Sequence, residues 1–255
     1  MTDFNVSNGQ PHPLGATLTA EGCNFAVHCP NADSVELCLF DKHTESQISV
    51  ISLPAKTGKI WHGSLSPIAA GQLYAYRVVG KKHLNRGLKF DQQKLLIDPY
   101  AKALSRPAVW DKAQYQEDSQ YMLPKGIVPQ AEVSLQRAAK PRIALDQTVI
   151  YEAHVKGLTQ LHPDVPAQHK GKFLGVCHPS VIKHIKSLGV TTVQLMPVAA
   201  FMPEPYITNK GLTNYWGYNP INYFSPEPRY VLNEAISEFK TMVDELHKSE
   251  LEVIL

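Results

Sequence analysis

Alternating apolar and polar positions dominate the first hundred residues. Asn24-Phe25-Ala26-Val27-His28 alternates, and so does Ser34-Val35-Glu36-Leu37-Cys38-Leu39-Phe40. Further strand-like runs occupy 48–53, 60–65 and 73–79. Turn residues separate the runs: Pro30-Asn31-Ala32-Asp33, Lys56-Thr57-Gly58-Lys59 and Ala70-Gly71-Gln72. Short strands at about ten-residue spacing predict a β-sandwich over residues 1–100. Residues 101–146, entered through Ile97-Asp98-Pro99-Tyr100-Ala101, hold no sustained period and read as a connector.

The pattern changes in 147–255. Residues 148–155 read as a strand and 179–188 as a helix, with Ile182, Ile185 and Leu188 on one face. Pro179 stands near the start of that helix and Gly189 just past its end. A strand over 190–196 follows. Then comes a helix capped by Asn233, with Ala235, Ile236, Phe239, Met242, Val243 and Leu246 facing inward. The last strand is 251–255. This β-α-β-α-β order predicts parallel strands joined by right-handed crossovers. The segments after the first two strands, 156–178 and 197–232, are long, while the helix-to-strand turns are short. Long loops at the C-terminal edge of a parallel sheet place the working site there. The final strand has an unpaired outer edge, and 147–255 falls well short of the about 250 residues of a (β/α)8 barrel. The expectation is the front part of a longer protein, with a barrel truncated in strand three.

The second long loop carries Asn214-Tyr215-Trp216-Gly217-Tyr218-Asn219-Pro220 and then Tyr223-Phe224-Ser225-Pro226-Glu227-Pro228-Arg229-Tyr230. Flat rings stack on the C–H-rich faces of sugars, and Asn amides both donate to and accept from hydroxyls. Tyr215, Trp216, Tyr218 and Asn219 are therefore candidate carbohydrate ligands. The competing view is that the rings anchor the loop to its own scaffold, and it is the stronger one for Tyr223, Phe224 and Tyr230. Glu152 and His154 share one face of the first strand. They form either an acid/base pair or a satisfied polar pair inside the fold. Trp61, Tyr74 and Tyr76 are either a glycan platform on the sandwich or core, and the strand pattern favours core. Trp110 is a packing anchor and Lys81-Lys82 a solvated turn.

Lys plus Arg number 25 and Asp plus Glu 23, a formal charge of +2, which leaves no electrostatic footprint for nucleic acid. With 44% apolar and 19% charged residues the chain is globular rather than disordered or coiled-coil. No apolar run approaches the roughly 18 residues of a membrane span, and residues 1–9 show no secretory signal. Cys23 and Cys29 would lie about 20 Å apart on an extended strand, too far for a bridge. With Cys38 and Cys177 they read as reduced thiols of a cytoplasmic protein. His162, His169 and His178 match no metal motif. No metal or cofactor is expected, and the oligomeric state is not legible.

The run from Asn214 to Tyr230 resembles the isoamylase and glycogen-debranching branch of the α-amylase superfamily of glycoside hydrolases. Val149-Ile150-Tyr151-Glu152-Ala153-His154-Val155-Lys156-Gly157-Leu158-Thr159 is similar to that family's first barrel strand, and Leu188-Gly189-Val190-Thr191-Thr192-Val193-Gln194-Leu195-Met196-Pro197-Val198 to its second. Trp61-His62-Gly63, Gly71-Gln72-Leu73-Tyr74-Ala75-Tyr76-Arg77 and the Ile97 to Ala101 run resemble the sandwich before the barrel. The resemblance covers about residues 12–255. It implies an immunoglobulin-like, carbohydrate-binding-type sandwich followed by the first part of a (β/α)8 barrel. It also implies retaining hydrolysis of α-1,6 branch points in glycogen-like α-glucans. Branching enzymes and trehalose-releasing hydrolases share these motifs, and a non-catalytic glucan-binding module is the third alternative. In the family the nucleophile Asp, the acid/base Glu and a third Asp follow strands four, five and seven. This chain would contain none of them and would be inactive alone. By the same resemblance Tyr218 stacks on the glucose at the cleavage point, while Asn219, Tyr215 and Trp216 line or brace that subsite.

Overall fold

The structure, a computed structural model, describes residues 4–112, 116–130 and 138–255. Parts of the predicted connector, 113–115 and 131–137, lie outside the described residues. The first half builds β1 (Asn5–Ser7), β2 (Gly15–Leu18), β3 (Cys23–His28), β4 (Ser34–Phe40), β5 (Gln47–Ser52), β6 (Ala55–Thr57), β7 (Ile60–Ser66) and β8 (Leu73–Val79). A short β9 (Gly126–Ile127) returns from the connector to pair with β8. One antiparallel sheet runs β1-β7-β3-β2 with β6 added on β7, and the other runs β5-β4-β8-β9. Phe25, Val27 and Leu65 of the first sheet meet Leu37, Leu39, Tyr74 and Tyr76 of the second in one core. This is the sandwich that the alternation predicts. Tyr74 and Tyr76 are fully enclosed in it, so they form core and not a glycan platform. Trp61 packs at its margin and donates Nε1–H to the Cys29 carbonyl.

The second half contains β10 (Ile150–Ala153), α1 (Val155–Thr159), α2 (Phe173–Val176), α3 (Pro179–Ser187), β11 (Thr192–Leu195), β12 (Ala199–Phe201), α4 (Pro205–Thr208), β13 (Pro220–Pro226), α5 (Ala235–Lys248) and β14 (Glu252–Ile254). β10, β11 and β14 are parallel, with Ile150, Thr192 and Glu252 in one register row and Glu152, Gln194 and Ile254 in another. Val193 and Leu195, with Tyr151 and Val253, pack on the other face against Ile185, Met242 and Leu246 of the helices. Burying one face of each helix and strand is what fixes these elements.

Three features depart from expectation: Leu188, placed on the inner face with Ile182 and Ile185, is instead the exposed C-cap of α3. The 197–232 loop holds an antiparallel hairpin, β12 with β13. Also, α5 is capped by Glu234 and not Asn233: the Glu234 carboxylate accepts from the amides of Ile236 and Ser237. Buried Glu238 accepts from the amides of Leu232, Asn233 and Glu234, which draws Asn233 into the preceding turn.

The halves are joined by buried polar bonds. Asn222 donates to the Asp98 carbonyl at 2.8 Å, and Ser225 Oγ donates to the Ala101 carbonyl at 2.6 Å. Asp98 is fully buried, and its carboxylate accepts from Tyr74 Oη at 2.8 Å and the Tyr100 amide at 2.9 Å. Burial raises its pKa to about 6.

Candidate functional site

The site is built at the C-terminal edge of β10. There the strand passes directly into α1 through His154, which is 7% exposed and serves as the N-cap of that helix. His154 Nδ1 accepts from the Gly157 amide at 3.0 Å. That bond leaves the ring proton on Nε2, which donates to the Tyr215 carbonyl at 2.7 Å. The Tyr230 hydroxyl lies 3.2 Å from the same nitrogen. Burial lowers the His154 pKa, against an opposing pull from the Tyr215 carbonyl. The imidazole is thus a neutral strut with both nitrogens occupied.

On this strut rests a wall of rings. Tyr215 stacks on His154 with centroids 4.2 Å apart and planes at 11°, and Trp216 stands edge-on to Tyr215 at 5.3 Å and 89°. Gly157 has to be glycine for Tyr215 to sit there, since a Cβ would come 2.7 Å from the Tyr215 hydroxyl. Tyr218 is 68% exposed. Its place is set by Gly217, whose φ of +85° and close approach to Phe201 and Pro197 exclude a side chain. Asn219 donates to the Met202 carbonyl at 3.0 Å, and its own carbonyl accepts from the Met202 amide at 3.1 Å. Tyr215 and Trp216 are thus held by His154 at the end of β10, and Gly217 and Asn219, which flank exposed Tyr218, by the end of β12.

Glu152 is exposed on the opposite side of β10 from Ala153, in register with Gln194. It makes no hydrogen bond to His154, whose nitrogens are taken by backbone groups. Of the loop histidines, His178 caps α3 and His162 accepts from the Asp164 amide. Among the described residues no cluster of His, Cys, Asp and Glu could hold a metal ion. The cysteines are free thiols. Also among the described residues, no helix is long and apolar enough to cross a membrane.

The residues that fix the loop are polar side chains with no motif of their own. Asn214, buried, donates Nδ2–H to Glu204 at 2.8 Å and accepts from the Gly217 amide at 2.8 Å. Glu227, fully buried, accepts from the amides of Phe201 and Arg229, each at 3.1 Å. Burial raises its pKa despite the Arg229 guanidinium, which itself lies 4.5 Å over the Phe201 ring. The charge of Glu227 beside a proline-rich turn was the available signal.

Comparison with known proteins agrees with this architecture. Residues 13–101 match carbohydrate-binding module 48, the isoamylase N-terminal domain. The glycogen debranching enzyme of Yersinia enterocolitica is 43% identical over 262 residues, covering 98% of this chain and 39% of the relative. That of Erwinia tasmaniensis is 40% identical over 259 residues, with 98% and 39% covered. This chain thus spans about two-fifths of the length of the curated relatives it matches. The catalytic module of the pneumococcal glycogen-degrading virulence factor SpuA superposes with a TM-score of 0.75 at 26% identity, over 97% of this chain and 37% of that one. The pullulanase of Paenibacillus barengoltzii, solved with maltohexaose and α-cyclodextrin, gives 0.70 at 25% identity, over 96% and 37%. The chain is accordingly similar over nearly its whole length to part of the glycogen debranching enzymes, and its residues 13–101 match the isoamylase N-terminal domain.

Proposed function

We propose that the protein hydrolyses α-1,6 branch points of glycogen-like glucans with retention of configuration, and that this chain supplies its sandwich module and one wall of the glucose site. The observation that carries the proposal is the set of open rings at Tyr215, Trp216 and Tyr218, the first two braced by a buried neutral histidine at the C-terminal edge of a parallel sheet. In this proposal β10, β11 and β14 are the first strands of a (β/α)8 barrel, and the row of Glu152 and Gln194 faces its interior. Residues 1–100 form the carbohydrate-binding-type module and 101–146 the connector. Tyr218 stacks on the glucose at the cleavage point, while Tyr215, Trp216 and Asn219 line or brace it. Retaining chemistry needs a nucleophile and an acid/base carboxylate about 5–5.5 Å apart. Both belong to later strands of the complete protein, which acts in the cytoplasm without a cofactor.

The test is product analysis of the complete protein on glycogen and on its limit dextrin. Release of linear maltooligosaccharides with new reducing ends, first appearing as α-anomers, supports the proposal. Chain transfer without new reducing ends would make it a branching enzyme. Release of trehalose from a maltooligosyl trehalose offered in parallel, or binding without any cleavage, would equally overturn it.

A further inference from the structure

We propose that the loop between Glu204 and Asn214 forms a second glucose subsite beside the wall, with Tyr206 as its stacking surface and Lys210 holding that ring from its opposite face. The inference rests on the debranching assignment and extends it to residues that no motif singled out. The loop is a closed and rigid unit. Its ends are latched by the 2.8 Å bond from Asn214 to Glu204, and buried Asn214 also holds the turn at Gly217. Within it, the amides of Ile207 and Thr208 donate to the Glu204 carbonyl, and the amides of Lys210, Gly211 and Leu212 close the return on Ile207 and Thr208. The loop is fastened directly to the wall, because Met202 and Asn219 exchange two hydrogen bonds just before it leaves and just after it returns.

What this unit displays is unlike an ordinary solvated loop. Tyr206 is 65% exposed, and Leu212 of the same loop is also exposed. The Lys210 ammonium sits 4.9 Å from the Tyr206 ring centroid. A cation on one ring face restrains the side chain. A ring backed by an ammonium on one face and offered to solvent on the other presents a pre-oriented flat surface for the C–H groups of a glucose residue. The wall around Tyr218 takes one sugar. A second ring on a latched loop next to it takes a further residue of the same α-1,4-linked chain, and so sets a preference for chain length.

The experiment compares Tyr206→Ala and Tyr206→Phe in the complete protein. Substrates are branched dextrins of long and short chain, with mobility on amylose-containing gels as a direct binding readout. Leu145→Ala, at an exposed apolar position in the connector, is the control and leaves both readouts unchanged. Tyr206→Ala is expected to raise KM for the long-chain substrate about two- to tenfold, with the loss falling on KM rather than kcat. It should also weaken retardation by amylose, and Tyr206→Phe should restore both. Equal losses on long and short substrates would overturn the subsite, as would unchanged KM and mobility. If the parent protein cleaves no α-1,6 bond, the debranching assignment fails. The gel then decides the subsite by itself: retardation lost in Tyr206→Ala sustains it, and retardation unchanged removes it.

Discussion

His154 and Tyr215 lie face to face, 4.2 Å apart, and the same imidazole donates to the carbonyl of the residue it stacks on. One side chain thereby fixes both the ring and the backbone of the wall, while its other nitrogen caps α1. His154→Ala removes the stack, both hydrogen bonds and the cap at a buried position. It is expected to cost about 3 kcal/mol in denaturant unfolding. The pH dependence has a definite sign. The folded-state pKa is lowered from 6.5 by burial, so the unfolded chain binds a proton that the folded chain refuses. Stability contributed by neutral His154 is present above 6.5 and is lost as pH falls through the lowered value. The His154→Ala variant, unfolded in urea at about pH 7.5 and about pH 5, should show a smaller loss on acidification than the parent. An equal or larger loss would mean that the ring is charged in the fold.

Asp98 has the opposite sign. Its folded pKa is raised from 3.8 to about 6 because the carboxylate is buried between Tyr74 and the Tyr100 amide. The folded state therefore holds a proton that the unfolded state releases. That stability is fully present below 3.8 and is lost as pH rises through about 6. Asp98→Asn keeps an acceptor for the Tyr100 amide and offers Tyr74 Oη a donor. It should leave stability at about pH 7.5 equal or higher and should flatten the pH profile between about 4 and 7 relative to the parent. A loss of more than about 2 kcal/mol at that pH would show instead that the ionised carboxylate is what the junction requires.

The wall can be disturbed without unfolding its support. Gly157 has no positive φ, so Ala is conformationally welcome in α1 and gains about 1 kcal/mol of helix propensity. Its Cβ, however, would arrive 2.7 Å from the Tyr215 hydroxyl. Gly157→Ala should therefore melt within a few degrees of the parent yet displace Tyr215 and weaken glucan binding. Tyr215→Phe removes the offending oxygen, so the double variant should recover most of the binding. Failure of Tyr215→Phe to rescue Gly157→Ala would mean that the Ala methyl acts through the helix and not through the ring.

How much of this was legible in the sequence differs by element. β3, β4, β7 and β8 each expose one period-two face to a shared core, so alternation located them to within a residue or two. β9 is Gly126 and Ile127 alone, and β6 is short and mostly exposed, so neither carries a hydrophobic signal. β13 begins and ends in proline and hides in an aromatic run, where ring content masks strand periodicity. The rings of the site were visible because residue type alone carries their chemistry. The supports were not. Glu204 with Asn214, Glu227 with Phe201 and Gly157 beneath Tyr215 are pairings across a folded loop, and no local period encodes them.

Tyr218 separates binding from stability most cleanly. It is 68% exposed, and its ring makes none of the contacts that hold Tyr215 and Trp216. Tyr218→Ala should leave the melting temperature unchanged, as surface substitutions usually stay within about 0.5 kcal/mol. In the complete protein the same change removes one face of the glucose site. Stacking and the apolar area it buries are together worth about 1.5–3 kcal/mol, so kcat/KM on branched dextrin should fall about ten- to a hundredfold. Tyr218→Phe keeps the ring and should retain most activity. If Tyr218→Phe is as damaging as Tyr218→Ala, the hydroxyl rather than the face contacts the sugar, and Tyr218 acts as a hydrogen-bonding residue. If neither variant affects kcat/KM, the glucose rests on Trp216 instead, the next most exposed ring of the wall.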